Sequence, residues 1–530
     1  MPNSRQHQSP PEWEREKEQW SAYYSDHLKK RLEWLVQFIS WQKGNLSSLE
    51  PRMGSLLTLL QEAHLQSSAH PQAVELISAL HPWPLRWEYW EAWEYEIRFA
   101  IQYFQNSNLP DPQTQFQIYL SDLLEKSGRL EEALETSREA FSLAQEHNHY
   151  LNFAIAGASI VSTLISLGNI PEAEAQFSAL REKIHAFTPQ PDTGERMNAE
   201  AHLTLQEMRI LHRQGKAADA ISIANKVMEN LDGVENIDRS LVVNIHKERG
   251  NIRLLFGDYP GAAKDLEQTI LLLSREGDKR AETFTRSELG NVYLNMSNFD
   301  QAEIAFRDSV ATCERINARW QLISEIGNLA VVYLSRGLLQ QALTYTNRQI
   351  ELAQHANHQD EYHRALSNRA FIYIHLKRYS LAINDIFTCL DWYRSQKIHS
   401  AVIVSNFILG MSYEGLGDPN KAQSFIEDSY EHTLSFNIPS LQIFARRCLA
   451  PYTPPEKAKI LLYQALLLAQ KFSRRLDEAG ALLALAAYSD SRLQQFQFIQ
   501  EGKAILQEIG ASAWLDTGKQ EIPPFITLPL

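Results

Sequence analysis

Eight alanines, Ala133, Ala173, Ala220, Ala262, Ala302, Ala342, Ala382 and Ala422, recur at spacings of 40, 47, 42, 40, 40, 40 and 40 residues. A fixed period of this length marks a stacked array, in which each unit buries its apolar face only against its neighbours. Five residues before each alanine stands Gly128, Gly168, Gly215, Gly257, Ser297, Gly337, Lys377 or Gly417. Most of these are glycines, which take the positive φ that a tight turn between two helices demands. The period therefore predicts a recurring helix hairpin and an all-α chain. Twenty residues after a turn come Asn148, Gly277, Asn317, Asn357 and Asn437, types that tolerate the left-handed residue ending a second helix.

At 530 residues the chain is too long for one compact core, a limit that an array evades because it grows in one dimension. Its formal charge of −13 repels a phosphate backbone, so no nucleic-acid partner is expected. Cys313, Cys389 and Cys448 lie far apart and form no CxxC pair, which fits a reducing cytoplasm better than a disulfide framework. No apolar run suits a signal peptide or reaches the roughly 18 residues of a membrane span, so the expectation is a cytoplasmic protein with no membrane partner.

Residues 1–15 are polar, carry Pro2, Pro10 and Pro11, and read as a mobile tail. Residues 16–110 have helical periodicity and are crowded with Trp20, Trp34, Trp41, Trp83, Trp87, Trp90 and Trp93, which read as core filling in a helical cap. Eight repeats occupy 111–437. Their register loosens at 185–200, with Pro189, Pro191 and Gly194, and again at 231–240, and these segments read as hinges. Residues 438–515 continue as less regular helices that cap the array, and 516–530 form an extended apolar tail with Pro523, Pro524 and Pro529.

Within a repeat such as SELGNVYLNMSNFDQAEIAFRDSV, Gly290, Tyr293, Ala302 and Phe306 fall at the contact spacing of two crossing helices. This pattern resembles the tetratricopeptide repeat. The resemblance implies an α-solenoid of helix hairpins wound into a right-handed superhelix, with helical caps at both ends and the first helix of each hairpin lining the concave face. The 40-residue period and the run from HLKKRLEWLVQFISW to LISALHPWPLRWEYWEAWEYEIRFAI are similar to the repeat half of bacterial signal-transduction (STAND) NTPases. No GxxxxGK[ST] occurs in the chain. The resemblance therefore implies an NTPase or effector on a separate polypeptide as a possible class of partner.

The short catalytic motifs HExxH, GxSxG and GxGxxG are also missing, so no catalytic residue, no cofactor and no enzyme activity are expected. His355, His358, Asp360, Glu361 and His363 bunch at metal-ligand spacing. They align with the helix-ending turns at 146–149 and 275–278, so capping explains them better than a metal, and no metal site is assigned.

Counting back from the turns gives the candidate binding face. Asn251 and Asn291 stand six residues before a turn, Asn328 and Asn368 nine before. A line of carboxamides can both donate to and accept from an extended peptide backbone, although asparagine also suits any half-buried polar face. Beside them Lys247, Phe284 and Arg364 interleave basic and aromatic groups, and Phe371, Phe407 and Met411 read as an apolar pocket. A partner with acidic and apolar anchors would match. The resulting expectation is a non-catalytic scaffold or sensor that holds a protein or peptide segment. The alternative is a peptide-gated cytosolic signalling regulator that changes its hold on an effector.

Overall fold

A computed structural model describes residues 12–42, 47–81, 83–87, 89–187, 191–231, 237–396, 398–434 and 438–516. Among them every regular element is a helix. The N-terminal part comprises α1 (Glu12–Trp41), α2 (Met53–His64), α3 (His70–Leu80), α4 (Trp83–Arg86) and α5 (Trp90–Asn106). Hairpins follow: α6 (Pro110–Lys126) with α7 (Leu130–Glu146), α8 (Tyr150–Ser166) with α9 (Ile170–His185), α10 (Thr193–Arg213) with α11 (Ala217–Leu231), and α12 (Arg239–Leu255) with α13 (Tyr259–Glu276). The regular stretch is α14 (Lys279–Asn295) with α15 (Phe299–Ile316), α16 (Arg319–Ser335) with α17 (Leu339–His355), α18 (Gln359–His375) with α19 (Tyr379–Ser395), and α20 (His399–Gly415) with α21 (Pro419–Thr433). The chain closes with α22 (Pro439–Leu449), α23 (Pro455–Lys471), α24 (Arg475–Ala486), α25 (Arg492–Glu508) and α26 (Ala513–Asp516).

All eight turn residues adopt positive φ, from 58° at Ser297 and Lys377 to 83° at Gly337. Asn108, Asn148, Gly277, Asn317 and Asn357 do the same between hairpins. A left-handed residue thus ends nearly every 17-residue helix, and this local device sets the 20-residue half-period. All eight alanines are fully buried, each where two helices cross. At Gly290 the approach is so close that a β-carbon would meet the Phe306 ring at 2.7 Å. Residues 1–11 and 517–530, which hold most of the two expected tails, lie outside the described residues, as does Asn437. The N-terminal helix starts at Glu12 rather than at 16, because EWEREKEQW past Pro11 is rich in helix formers. The looser segment at 185–200 is shorter than expected, since α10 starts at Thr193 with the Asp192 side chain accepting from the Glu195 N–H at 2.8 Å.

The helices group into two compact units, one from Met1–Ile252 with Leu271–Ala281, the other from Arg253–Ile270 with Glu282–Leu530. In the first, Trp83, Trp87 and Trp93 pack with Leu28, Leu32, Met53, Leu60 and Phe116. The expectation of core filling fails for Trp20, Trp34 and Trp41, which are exposed. Helix α1 buries only the face carrying Leu28, Leu32 and Ile39, and residues 20, 34 and 41, spaced by fourteen and seven, lie on another face.

In the second unit Phe299, Phe306, Tyr393, Phe407 and Phe444 form the centre of one continuous core. Its last helices do more than cap an end, because they fold back onto earlier turns. The Leu476 N–H donates to Ser297 Oγ at 3.1 Å, Arg474 Nη1 donates to Asn295 Oδ1, and Trp514 Nε1 donates to the Ser335 carbonyl at 3.0 Å. Every one of these bonds joins residues 179 apart in sequence. Glycines make room for the docking: a side chain at Gly257 would meet Phe472 at 2.4 Å, and one at Gly337 would meet Trp514 at 3.0 Å.

Candidate functional site

The first helices α14, α16 and α18 present stripes at helical spacing: Asn291, Leu294 and Asn295; Ser324, Asn328 and Val331; Glu361, Arg364 and Asn368. Steps of three and four keep each stripe on one helix face. Together they line a cavity of about 430 Å³ within the second unit. The fold-back completes it with Phe472 and Arg474, and Ile438, Pro439 and Ser440 close a further side. A narrow extension of about 40 Å³ shares Leu294, Asn295, Val331, Asn368 and Arg474 and is bounded by Phe371, Ile408 and Phe444. This volume lies in the usual ~300–1,000 Å³ range of preformed ligand sites.

The polar walls divide into groups that are already satisfied and groups that are not. Glu361 accepts from Ser324 Oγ, from Gln349 Nε2 at 2.7 Å and from Arg364 Nε at 3.0 Å. Burial pushes its carboxyl up, but the charge of Arg364 and these hydrogen bonds outweigh burial and hold it below the usual carboxylate range. Arg474 donates from Nε to Asp477 at 2.6 Å. Both arginines are therefore neutralised by their own carboxylates. Asn328 donates to Ser287 Oγ at 3.2 Å. By contrast, the side-chain amides of Asn291 and Asn368, both partly buried, make no hydrogen bond among the described residues. Leu255 forms an apolar lip, 58% exposed.

Of the sequence-derived candidates, Asn291, Asn328, Arg364 and Asn368 come together on this cavity, and Phe371 bounds its extension. Lys247 and Asn251 lie partly buried on α12, in the first unit. Phe284 is exposed on α14 and is not among the lining residues. Met411 packs at the edge of the core. Phe407 does not line the cavity: it is fully buried with its ring 5.2 Å from that of Phe444, because α22 covers this part of α20. The expected acidic anchor also finds no free positive charge at Arg364, which Glu361 already pairs.

Residues missed by the sequence reading are Tyr259, Pro439, Phe472 and Arg474. They come from segments outside the repeated register, and no periodic signal marks them. The histidines near 355–363 take structural partners: His355 Nδ1 contacts the Glu351 carbonyl at 2.7 Å, and the His363 ring stacks on Trp392 at 4.6 Å.

A family profile described as the tetratricopeptide repeat matches residues 285–318, which cover most of α14 and α15. This hairpin is a tetratricopeptide repeat. The hairpins around it share its left-handed turn and its buried alanine. No curated protein matches the sequence. Among solved structures, the chain is similar to a STAND protein with a tetratricopeptide repeat sensor from Pyrococcus horikoshii, at 12% identity and a TM-score of 0.47. That match covers 65% of this chain and 53% of the other, so the chain spans about half the length of the STAND protein. It is also similar to a Rap protein complexed with competence and sporulation factor, at 13% identity and a TM-score of 0.48, over 70% of this chain and 100% of that one. A third similarity is to the quorum sensor NprR from B. thuringiensis, at 12% identity and a TM-score of 0.43, over 71% of this chain and 100% of that one.

Proposed function

We propose that this chain is a non-catalytic binding protein that holds an extended, largely uncharged peptide segment in the cavity of its second unit. The observation that carries the reading is the pair of carboxamides, Asn291 and Asn368, which face the cavity from two tetratricopeptide hairpins and have no partner of their own among the described residues. An extended backbone offers alternating N–H and C=O groups, and an amide side chain can answer both. Leu255, Leu294 and Val331 supply surface for apolar side chains. The matched charges on Arg364 and Arg474 favour a neutral segment over an acidic one.

The reading is tested by selecting peptides from a degenerate library on the full chain and measuring their affinity by titration calorimetry. Two hydrogen bonds at about 0.5–1.5 kcal/mol each predict that Asn291→Ala with Asn368→Ala weakens binding by roughly ten- to a hundredfold. Because neither side chain makes a hydrogen bond among the described residues, stability stays within about 0.5 kcal/mol of the unaltered chain. Selected peptides that bind the double variant with unchanged affinity would sink the proposal. The fold-back favours a gated form of the same function: Phe472 and Arg474 both line the cavity and belong to the docked C-terminal helices, so occupancy and docking are linked.

A further inference from the structure

Helix α1 turns a second face outward, and that face is aromatic. Trp20, Tyr23, Trp34 and Trp41 are 71%, 66%, 60% and 81% exposed, and His27, Lys30 and Arg31 between them are exposed as well. Trp20 meets Tyr23 edge-on at 6.1 Å, Tyr23 stacks on His27 at 6.4 Å, and Trp34 stacks on Phe38 at 5.4 Å. The rings form a ladder along the helix.

Two properties of the ladder bear on what covers it. Trp20, His27, Trp34 and Trp41 follow a strict seven-residue repeat. On a straight α-helix such a stripe drifts by about 20° per heptad, which suits a second helix wound round it and not a flat lipid surface. The order of chemical types is also the same from either end: three rings and a base, Trp20, Tyr23, His27 and Lys30, then a base and three rings, Arg31, Trp34, Phe38 and Trp41. This palindrome fits an antiparallel copy of itself. Trp20 falls opposite Trp41 of the second copy, Tyr23 opposite Phe38 and His27 opposite Trp34, and each pairing occurs twice, as an isologous two-fold contact requires. The bases at the centre are accommodated, because Asp26 pairs with Lys30 at 2.8 Å and Arg31 is left to lie over the Trp34 ring one turn along the second copy.

At ~200 Å² for a whole aromatic side chain, the exposed parts of the four large rings amount to roughly 500–600 Å² per copy. Pairing would hide about 1,000–1,200 Å² in all, at the lower end of specific interfaces. We infer that α1 is a homodimerisation surface, along which two copies of the chain pair antiparallel from Trp20 to Trp41 about a two-fold axis between Lys30 and Arg31.

Sedimentation of the full chain from about 1 to 100 µM tests this. An interface of that size predicts a reversible dimer with a Kd on the order of 10 µM. Trp34→Glu, a change on exposed surface, should weaken it at least tenfold with unchanged helical circular dichroism. A chain that stays monomeric at the highest concentration overturns the proposal, including one that binds phosphatidylserine vesicles through the same rings. So does a dimer insensitive to Trp34→Glu. Register is read by oxidation. Chains carrying Trp20→Cys mixed with chains carrying Trp41→Cys should form an intermolecular disulfide, since opposed positions come within the ~4.4–6.8 Å Cα separation that the bond needs. Each variant alone should give little, because Cys313, Cys389 and Cys448 are buried. Cross-linking of either variant with itself in place of the mixed product marks a parallel seam and overturns the antiparallel pairing.

Discussion

The two units carry different chemistry at the same register of the repeat. Six and nine residues before the turn, the first unit has Arg209 with Gln206 and Asn251 with Glu248, whereas the second has Asn291 with Glu288, Val331 with Asn328 and Phe371 with Asn368. In the first unit the charged groups find one another: Arg209 donates to Ser162 Oγ at 3.1 Å and pairs with Glu248 at 3.7 Å, and His212 lies 3.8 Å from the same carboxylate. In the second, the side-chain amides of Asn291 and Asn368 make no hydrogen bond among the described residues and lie beside a cavity. A helix face stitched to its neighbours by ion pairs has spent its donors, while a face of carboxamides and apolar groups keeps them for something else. Identical hairpin architecture can therefore serve as strut or as receptor, according to two positions per repeat.

The largest test of this contrast lies at the fold-back that completes the cavity. Arg474 is buried, bonded to Asp477 and Asn295, and Arg474→Met leaves the buried Asp477 with only Arg447, whose Nη1 is 3.8 Å away. Removing one partner of a buried ion pair costs about 3–5 kcal/mol. Hydrogen exchange in α23 and α24 should accelerate, and peptide binding should fall with it. Retained protection there would show that the cavity does not depend on the docked helices.

Acidity separates the units next. Burial pushes the Glu325 carboxyl on α16 from its ordinary 4.5 to about 7, partly offset by hydrogen bonds with Ser287 and Gln321 and by the charge of Arg364. The folded state then binds more protons than the unfolded state between these values, so stability falls as pH rises from about 4.5 to about 7, by about 3 kcal/mol. Glu325→Gln should flatten that slope. Glu248 in the first unit runs the other way: burial raises it, but the hydrogen bond from His212 and the charge of Arg209 prevail and lower it. Its contribution is present above the ordinary carboxylate range and is lost as pH falls through the lowered value. Protection in α16 should fall as pH rises from about 4.5 to about 7, whereas protection in α12 should be lost only as pH falls below about 4.5, and a shared pH window for both helices would break the comparison.

How far the sequence reveals these differences depends on whether the constraint is local. The left-handed turns and the alanine crossings are set within a hairpin, so glycine and alanine spacing exposes them. Ser297 and Lys377 are legible only from the register, since neither residue type calls for positive φ. Asn291, Asn328, Arg364 and Asn368 are legible for the same reason, each at a fixed count from a turn. Phe472 and Arg474 are not, because they reach the cavity by contacts spanning 179 residues that no period encodes. Phe407 misleads because its position would face the groove in a continuing array, whereas here α22 sets Phe444 against it. Trp20, Trp34 and Trp41 mislead differently: composition says aromatic, and only the packing of α1 says which face is covered.

Overpacking tests what the units share. Ala220 and Ala302 are both fully buried at helix crossings, one in each unit. Ala220→Leu and Ala302→Leu should each cost about 1–3 kcal/mol in chemical denaturation, because the added carbons have no void to enter. Similar costs would place the difference between the units in their inner faces alone. A cost confined to one unit would mean that the packing differs as well.

The smallest effect is the most discriminating. Arg209 is partly exposed and its pairing with Glu248 at 3.7 Å is loose, so Arg209→Met should cost under about 1 kcal/mol. What it changes is availability, since Ser162 Oγ loses the donor at 3.1 Å and Glu248 loses the charge of Arg209. If pairing is what keeps this face from binding, the variant should acquire measurable affinity for a basic peptide that the unaltered chain lacks, with salt weakening it as expected for a charged contact. A variant that binds nothing new would show that the first unit lacks a cavity as well as free polar groups, and that shape rather than pairing separates strut from receptor.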